Sequence, residues 1–291
     1  MSTFNRCSFG LLAFVLLTGV LAGPVLAQSE ESDSDALKKL QDAMTASLDA
    51  GSYTMNMDQE IEQKQSMSNM TITQTNKGTV KFEKPYMHVD LTADVSGMGG
   101  KRKQTSQAQE MVGKLGEDGS LKGLFQKKAD GDWSAVEGTQ SASFKKMFDR
   151  FRDPSKLTER LKNVQSAGEE TVNGMDTLKI TAEQREEALK ETAKEMLKGA
   201  QQNKMIQQME LDVDVKDSKM TVWIRKDSSR IEKIDVDTKQ DITMTLSMRG
   251  KERSFTMNQD LKMTSTFSDY GSTSIDSKIK DVADRMTGED K

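Results

Sequence analysis

Residues 241–248 read Asp-Ile-Thr-Met-Thr-Leu-Ser-Met, and residues 255–267 keep the same rhythm. Ile242, Met244, Leu246 and Met248 alternate with Thr243, Thr245 and Ser247. In the second segment Phe255, Met257, Leu261, Met263 and Phe267 fall on one side. Period two with Thr and Ser between the apolar residues is the pattern of a strand buried on one face and wet on the other. Gly250 lies between the segments and predicts a turn.

The same period spreads outward in both directions. Upstream come Leu211, Val213 and Val215, then Met220, Val222 and Ile224, a turn at Asp227-Ser228-Ser229, and Ile234 with Val236. Asn173-Gly174 joins a predicted strand pair whose second strand carries Leu178, Ile180 and Ala182, since Asn-Gly is the strongest two-residue hairpin signal. Near the N-terminus Tyr53, Met55, Met57 and Ile61 alternate with Thr54, Asn56, Asp58 and Glu60. Met70 and Ile72, Val80 and Phe82, a turn at Lys84-Pro85, and Met87, Val89, Leu91, Ala93 and Val95 follow. Weaker patterns predict three short strands around Met111, Leu121–Phe125 and Trp133–Val136.

Four stretches change to helical spacing. Asp35 is the expected cap of a helix with Leu37, Leu40, Met44 and Leu48 on one face. Phe144, Met147, Phe148 and Phe151 make one stripe, and Leu157 and Leu161 follow Asp153-Pro154. A longer helix is expected over residues 184–202, with Leu189, Ala193, Met196, Leu197 and Ala200 on its apolar side. No β-α-β rhythm appears, which argues against a Rossmann-type or barrel enzyme fold. One-faced strands imply an antiparallel sheet covered on one side only. A sheet of about 11 such strands must curl. The expected fold class is α+β, a strongly curved antiparallel half-barrel sheet with covering helices on its concave apolar face.

Composition narrows function. The chain of 291 residues carries 42 Lys+Arg against 46 Asp+Glu, a net charge of −4, so no basic surplus points to nucleic acid. One Cys excludes a disulfide framework and a Cys-rich zinc site, and one His excludes HExxH and multi-His metal cages. The 20 Met outnumber the 10 Phe, 3 Tyr and 2 Trp together. Arg6, an apolar run from Phe9 to Leu21, Gly23-Pro24 and Val25-Leu26-Ala27 predict a cleaved signal peptide with its site at Ala27/Gln28. The expected organisation is signal peptide 1–27, disordered leader 28–35, one domain over 36–285 and a flexible tail 286–291. The expected location is periplasmic or secreted.

Three short patterns carry a resemblance. Met220–Asp235 (MTVWIRKDSSRIEKID) has an apolar strand ending in Trp-Ile, a charged turn and a strand starting Ile-x-Lys. Thr171–Ile180 (TVNGMDTLKI) is a Val-Asn-Gly hairpin, and Phe267-Ser268-Asp269-Tyr270 closes a long strand. With the early helix before Tyr53–Ile61, this order resembles the LolA-like superfamily, which holds the periplasmic lipoprotein carrier LolA and LppX-LprG-type lipid carriers. The resemblance implies a half-open barrel that binds acyl chains and does no chemistry. The chain departs from LppX-like members in lacking a lipobox Cys after the apolar run, since Cys7 precedes it.

The functional reading is therefore an exported, non-enzymatic carrier or binder of lipids or lipoprotein acyl chains. Its expected partners are a lipid or acylated protein and a transient membrane surface, with no nucleic acid and no cofactor. The expected cavity lining is Met55, Met57, Met87, Val89, Leu91, Phe144, Met147, Phe148, Phe151, Met196, Met244, Leu246, Met257 and Met263. Unbranched thioethers adapt to varied chain shapes. Two alternatives stand beside this reading: an envelope structural or interaction protein with a filled core, and a periplasmic copper binder using Met55-x-Met57 and Met67-x-x-Met70. His88 is expected on the polar sheet face. Gly97–Lys101 lacks phosphate-loop spacing, Asp130-Gly131-Asp132 lacks an EF-hand's bidentate Glu, and Lys101-Arg102-Lys103 reads as a solvated loop.

Overall fold

A computed structural model describes residues 33–65, 70–97, 105–128, 131–138, 152–191, 209–248 and 251–288, with positions 141, 142, 144, 145 and 148 between them. Helix α1 (Ser34–Leu48) opens the chain. Its cap is Asp33 rather than the expected Asp35: the Asp33 carboxylate accepts from the Asp35 and Ala36 amides at 2.9 and 3.3 Å. An acceptor two to three residues ahead satisfies amides that the helix leaves unpaired, which Asp35, already inside the first turn, cannot do.

Among the described residues, eleven antiparallel strands follow. They are β1 (Ser52–Gln65), β2 (Met70–Glu83), β3 (Tyr86–Ser96), β4 (Thr105–Leu115), β5 (Leu121–Lys127) and β6 (Trp133–Ala135) in the first half. The second half holds β7 (Leu161–Val172), β8 (Met175–Gln184), β9 (Met209–Arg225), β10 (Ile231–Met248) and β11 (Lys251–Ser268). Their order in the sheet is β6-β5-β4-β3-β2-β1-β11-β10-β9-β8-β7. The chain lays down one wing, crosses from β6 to the far edge, and fills inward until β11 pairs with β1. The two edges stay apart, and right-handed twist over eleven strands curls the open sheet into a half-barrel. The fold class expected from the sequence is thus the one observed.

The Asn173-Gly174 turn has φ of 52° and 79°, both left-handed, as a two-residue turn matching strand twist requires. Two further readings need correction. Leu161 opens β7 instead of ending a helix; the short helix α2 (Leu157–Arg160) stops just before it. The sheet is also not bare outside. Helix α3 (Ser277–Thr287), unforeseen in the sequence, packs Val282 and Ala283 with Ile279 against Val112, Phe125, Tyr86 and Trp133 on the outer face of β3–β6. It is clamped by Lys114 and Tyr86 on Asp284 and by Lys280 on Glu83.

The main core lies on the other, inner face. One contiguous cluster joins α1 (Ala36, Leu40, Ala43, Met44) to inward residues from Tyr53 on β1 to Phe267 on β11, and reaches Leu124 on β5 and Ile180 on β8. The helix lies across the inner side of the second wing, against β7, β9 and β10.

Candidate ligand-binding site

Helix α1 roofs an apolar pocket. Leu40, Met44, Ser47 and Leu48 form its ceiling; Tyr53, Met220, Val222, Ile231, Ile234 and Phe267 form its floor and walls. The floor residues come from β1, β9, β10 and β11, where strands alternate so that every second side chain points inward. The pocket's volume is about 30 Å³, room for one or two waters and too small for an acyl chain. Any larger guest must move the roof.

Few polar ties hold that roof. At its N-terminus the Asp33 amide donates to the Val164 carbonyl at 2.9 Å. Gln41 Nε2 donates to the Pro154 carbonyl at 3.4 Å. At the C-terminal end Ser47 Oγ accepts from the Ile231 amide at 2.9 Å and from the Tyr270 hydroxyl at 3.3 Å, a hydroxyl that also lies 2.6 Å from the Ile231 carbonyl. The rest of the attachment is apolar contact, which is non-directional and re-forms against another apolar surface.

The walls near the helix end are aromatic, with the Arg152 guanidinium 5.5 Å from the Phe82 ring and those of Arg225 and Arg230 5.4 and 5.2 Å from the Tyr270 ring. Tyr53 stacks on Phe82 with centroids 5.2 Å apart and meets Phe267 and Tyr270 at 6.0 and 5.9 Å. Burial pushes the Tyr53 phenol up to about 12, against a smaller opposing pull from Arg152. Burial also pushes Tyr270 well up, with the Ser47 hydrogen bond opposing. Both phenols are neutral at physiological pH. Behind them Arg225 binds Glu232 through Nε and Nη2, both at 2.5 Å, and Asn173 Nδ2 adds a bond of 2.8 Å to the same carboxylate. That nearly buried pair pins the β9–β10 turn beside the pocket.

The residues expected to line a cavity are distributed differently. Met57, Met87, Val89, Leu91, Phe144, Phe148 and Met263 belong to the main core cluster, and Met55 packs against it. Met244 and Met257 are half-buried towards the far ends of β10 and β11. Leu246 lies on β10, opposite Met209 of β9. Met147, Phe151 and Met196 lie outside the described residues, as do Met67, Asp130 and Lys101-Arg102-Lys103. Among the described ones, none lines the pocket under α1. The signal that could have found it was present in Leu40 and Met44, the stripe of the first helix, combined with Met220, Val222 and Phe267. His88 is half-buried on the outer face, with Nε2 3.1 Å from Glu110 Oε1; Lys127 holds the other Glu110 oxygen at 2.7 Å. Burial pushes the Glu110 carboxyl up, and the bonds from Lys127 and His88 more than offset it.

A family model matches residues 33–276, and its family is DUF6612, a family of unknown function. The chain belongs to DUF6612. The DUF6612 match begins at the cap of α1 and ends at Asp276, the cap of α3, so it takes in the roof, the floor and every strand while leaving α3 outside. Comparison with curated proteins gives no match. Among solved structures this DUF6612 chain is similar to LprF from Mycobacterium bovis, at 14% identity and a TM-score of 0.40, covering 84% of this chain and 97% of that one. It is similar to the Mycobacterium tuberculosis lipoprotein LppX at 16% identity and a TM-score of 0.35, covering 84% and 99%. A DUF1329 family protein from Desulfovibrio piger gives 10% identity and a TM-score of 0.24, covering 80% and 91%. Among the described residues no helix is long and apolar enough to cross a membrane.

Proposed function

We propose that this protein is an exported, non-enzymatic carrier that takes the acyl chains of a lipid or lipidated protein onto the inner face of its half-barrel. The observation that carries the reading is the apolar pocket between α1 and β9–β11, roofed by a helix with few polar ties to the sheet. The guest would enter as α1 lifts, exchanging helix–sheet apolar contact for guest–sheet contact at roughly 0.8 kcal/mol per buried CH₂. Met44 and Met220 in the pocket walls let the site repack around chains of different shape. The proposed location is the periplasm or the cell exterior, reached through the signal peptide ending at Ala27.

A second reading has its own support. A pocket of only about 30 Å³ beneath α1 also suits an envelope interaction protein with a filled core. One experiment separates the two: native mass spectrometry of the protein purified from its own host, followed by uptake of the neutral apolar dye 1-N-phenylnaphthylamine. The carrier reading expects a co-purifying lipid mass, or saturable dye fluorescence that added lipid displaces. A guest-free protein that also takes up no dye supports the filled core and ends the carrier reading.

A further inference from the structure

The inner face has two zones. Beneath α1 it is apolar and aromatic. Further along the same strands it is lined by carboxamides. Gln59 on β1 is fully buried, and its Oε1 accepts from Asn76 Nδ2 on β2 at 2.7 Å; Gln74 Nε2 in turn donates to Asn76 Oδ1 at 2.9 Å. On the other wing Gln240 Nε2 donates to Gln259 Oε1 at 2.6 Å, with Gln259 only 1% exposed. On β1–β4, β10 and β11 the register keeps charged side chains off this surface; Arg152, from the turn before α2, reaches its aromatic zone, 5.5 Å from the Phe82 ring. Over residues 53–63, 72–82, 87–95, 107–115, 234–244 and 255–267, every Asp, Glu, Lys, Arg and His falls on the alternate, outward positions. Within this neutral zone one strong donor is open: Gln59 Nε2 has no hydrogen-bond partner among the described residues. A buried amide N–H without an acceptor has lost its water and gained nothing in return, so a group that supplies the acceptor is favoured there.

Resting on the carrier reading above, we infer that the carboxamide zone is a polar subsite for an uncharged, hydrogen-bonding head, such as an acyl ester carrying free hydroxyls, with Gln59 Nε2 donating to the head's oxygen while the chain lies on the apolar zone. An ionised head would be buried among carboxamides on strand positions that carry no counter-charge, a desolvation that an uncharged head avoids. The subsite therefore selects neutral amphiphiles over anionic ones of the same chain.

The test displaces 1-N-phenylnaphthylamine from the full chain with 1-oleoylglycerol and with oleate at pH 8, where the fatty acid is ionised. The glycerol ester is expected to displace the dye at a concentration at least about tenfold lower than oleate. In Gln59→Met, which keeps the volume and removes the donor, that ratio should fall about fivefold, the worth of one neutral hydrogen bond. Equal displacement by the two compounds, or a ratio untouched by Gln59→Met in a variant that unfolds cooperatively, overturns the subsite. Should that variant fail to fold, the wild-type ratio alone decides. A protein that takes up no dye at all sinks the carrier reading itself, a result distinct from dye uptake without head-group preference.

Discussion

Replacing Leu40 by Ala tests whether α1 is seated on the sheet as described. Leu40 is 1% exposed, belongs to the main core cluster and forms part of the pocket ceiling. Truncation removes three carbons, a transfer loss of roughly 2.4 kcal/mol at ~0.8 kcal/mol per CH₂. The walls beside Leu40 already leave about 30 Å³ open, so they do not close readily over new space. A cavity term at ~24 cal/mol per Å³ then adds on the order of 1 kcal/mol. The expected total is about 3–4 kcal/mol. Urea unfolding followed by far-ultraviolet circular dichroism should show the midpoint falling by roughly 1–2 M with an unchanged slope. A small neutral hydrocarbon such as benzene should raise the midpoint of the variant more than that of the parent, because it binds the enlarged pocket of the folded state. A loss below about 1 kcal/mol would mean that α1 does not rest on β9–β11, and the roofed pocket would go with it.

Asp33→Ala removes the cap of α1 and should cost about 1 kcal/mol in the same urea assay, with amide exchange rising first in residues 34–37. Glu232→Ala leaves the Arg225 guanidinium without its carboxylate partner and should cost about 3–5 kcal/mol, whereas Asp227→Ala in the neighbouring exposed turn should change little. Acid should loosen α3 before the half-barrel. The bonds from Lys280 and the Ile275 amide hold Glu83 below the usual carboxylate range; burial pushes Asp284 up, but the bonds from Lys114 and Tyr86 outweigh it and the net shift is down. Groups with depressed folded values contribute fully above about pH 4 and lose that contribution as pH falls through the folded values. Hydrogen exchange in residues 277–287 should therefore rise between about pH 4 and pH 2, and Asp284→Asn should flatten that rise; a pH-independent α3 contradicts the clamp.

Much of the sheet was legible because its strands are amphipathic. In β10 and β11 the apolar residues keep strict parity over long runs, and a one-residue slip would turn the whole set to water. Asn173-Gly174 fixed one hairpin by local backbone preference. That turn also placed a strand before Asn173, but where β7 begins was hidden for the opposite reason. From Gln165 to Thr171 it is exposed, its pairing with β8 shifts register twice, and it forms the sheet edge, so no period survives to be read. Helix α3 was missed because the outer registers looked uniformly polar. Val112, Phe125 and Tyr86 form a small apolar patch that becomes visible only when three strands are laid side by side. The pocket escaped for a related reason. Its lining joins a helix at residues 40–48 to strand positions near 220, 231 and 267, a long-range adjacency that no local pattern encodes. The inward register of Met57, Met87 and Met263 was read from the sequence, but inward position does not distinguish packed core from cavity wall.

The central claim is that the surface between α1 and β9–β11 receives an apolar chain, and photolabelling maps this most directly. A neutral acylglycerol bearing a diazirine midway along its chain would be irradiated with the full protein, and the modified peptides sequenced. The account predicts saturable labelling of residues 34–48 together with residues 220–236, competed away by unlabelled lipid. Labelling confined to the outer face around α3, or none above that of an unfolded control, would contradict it.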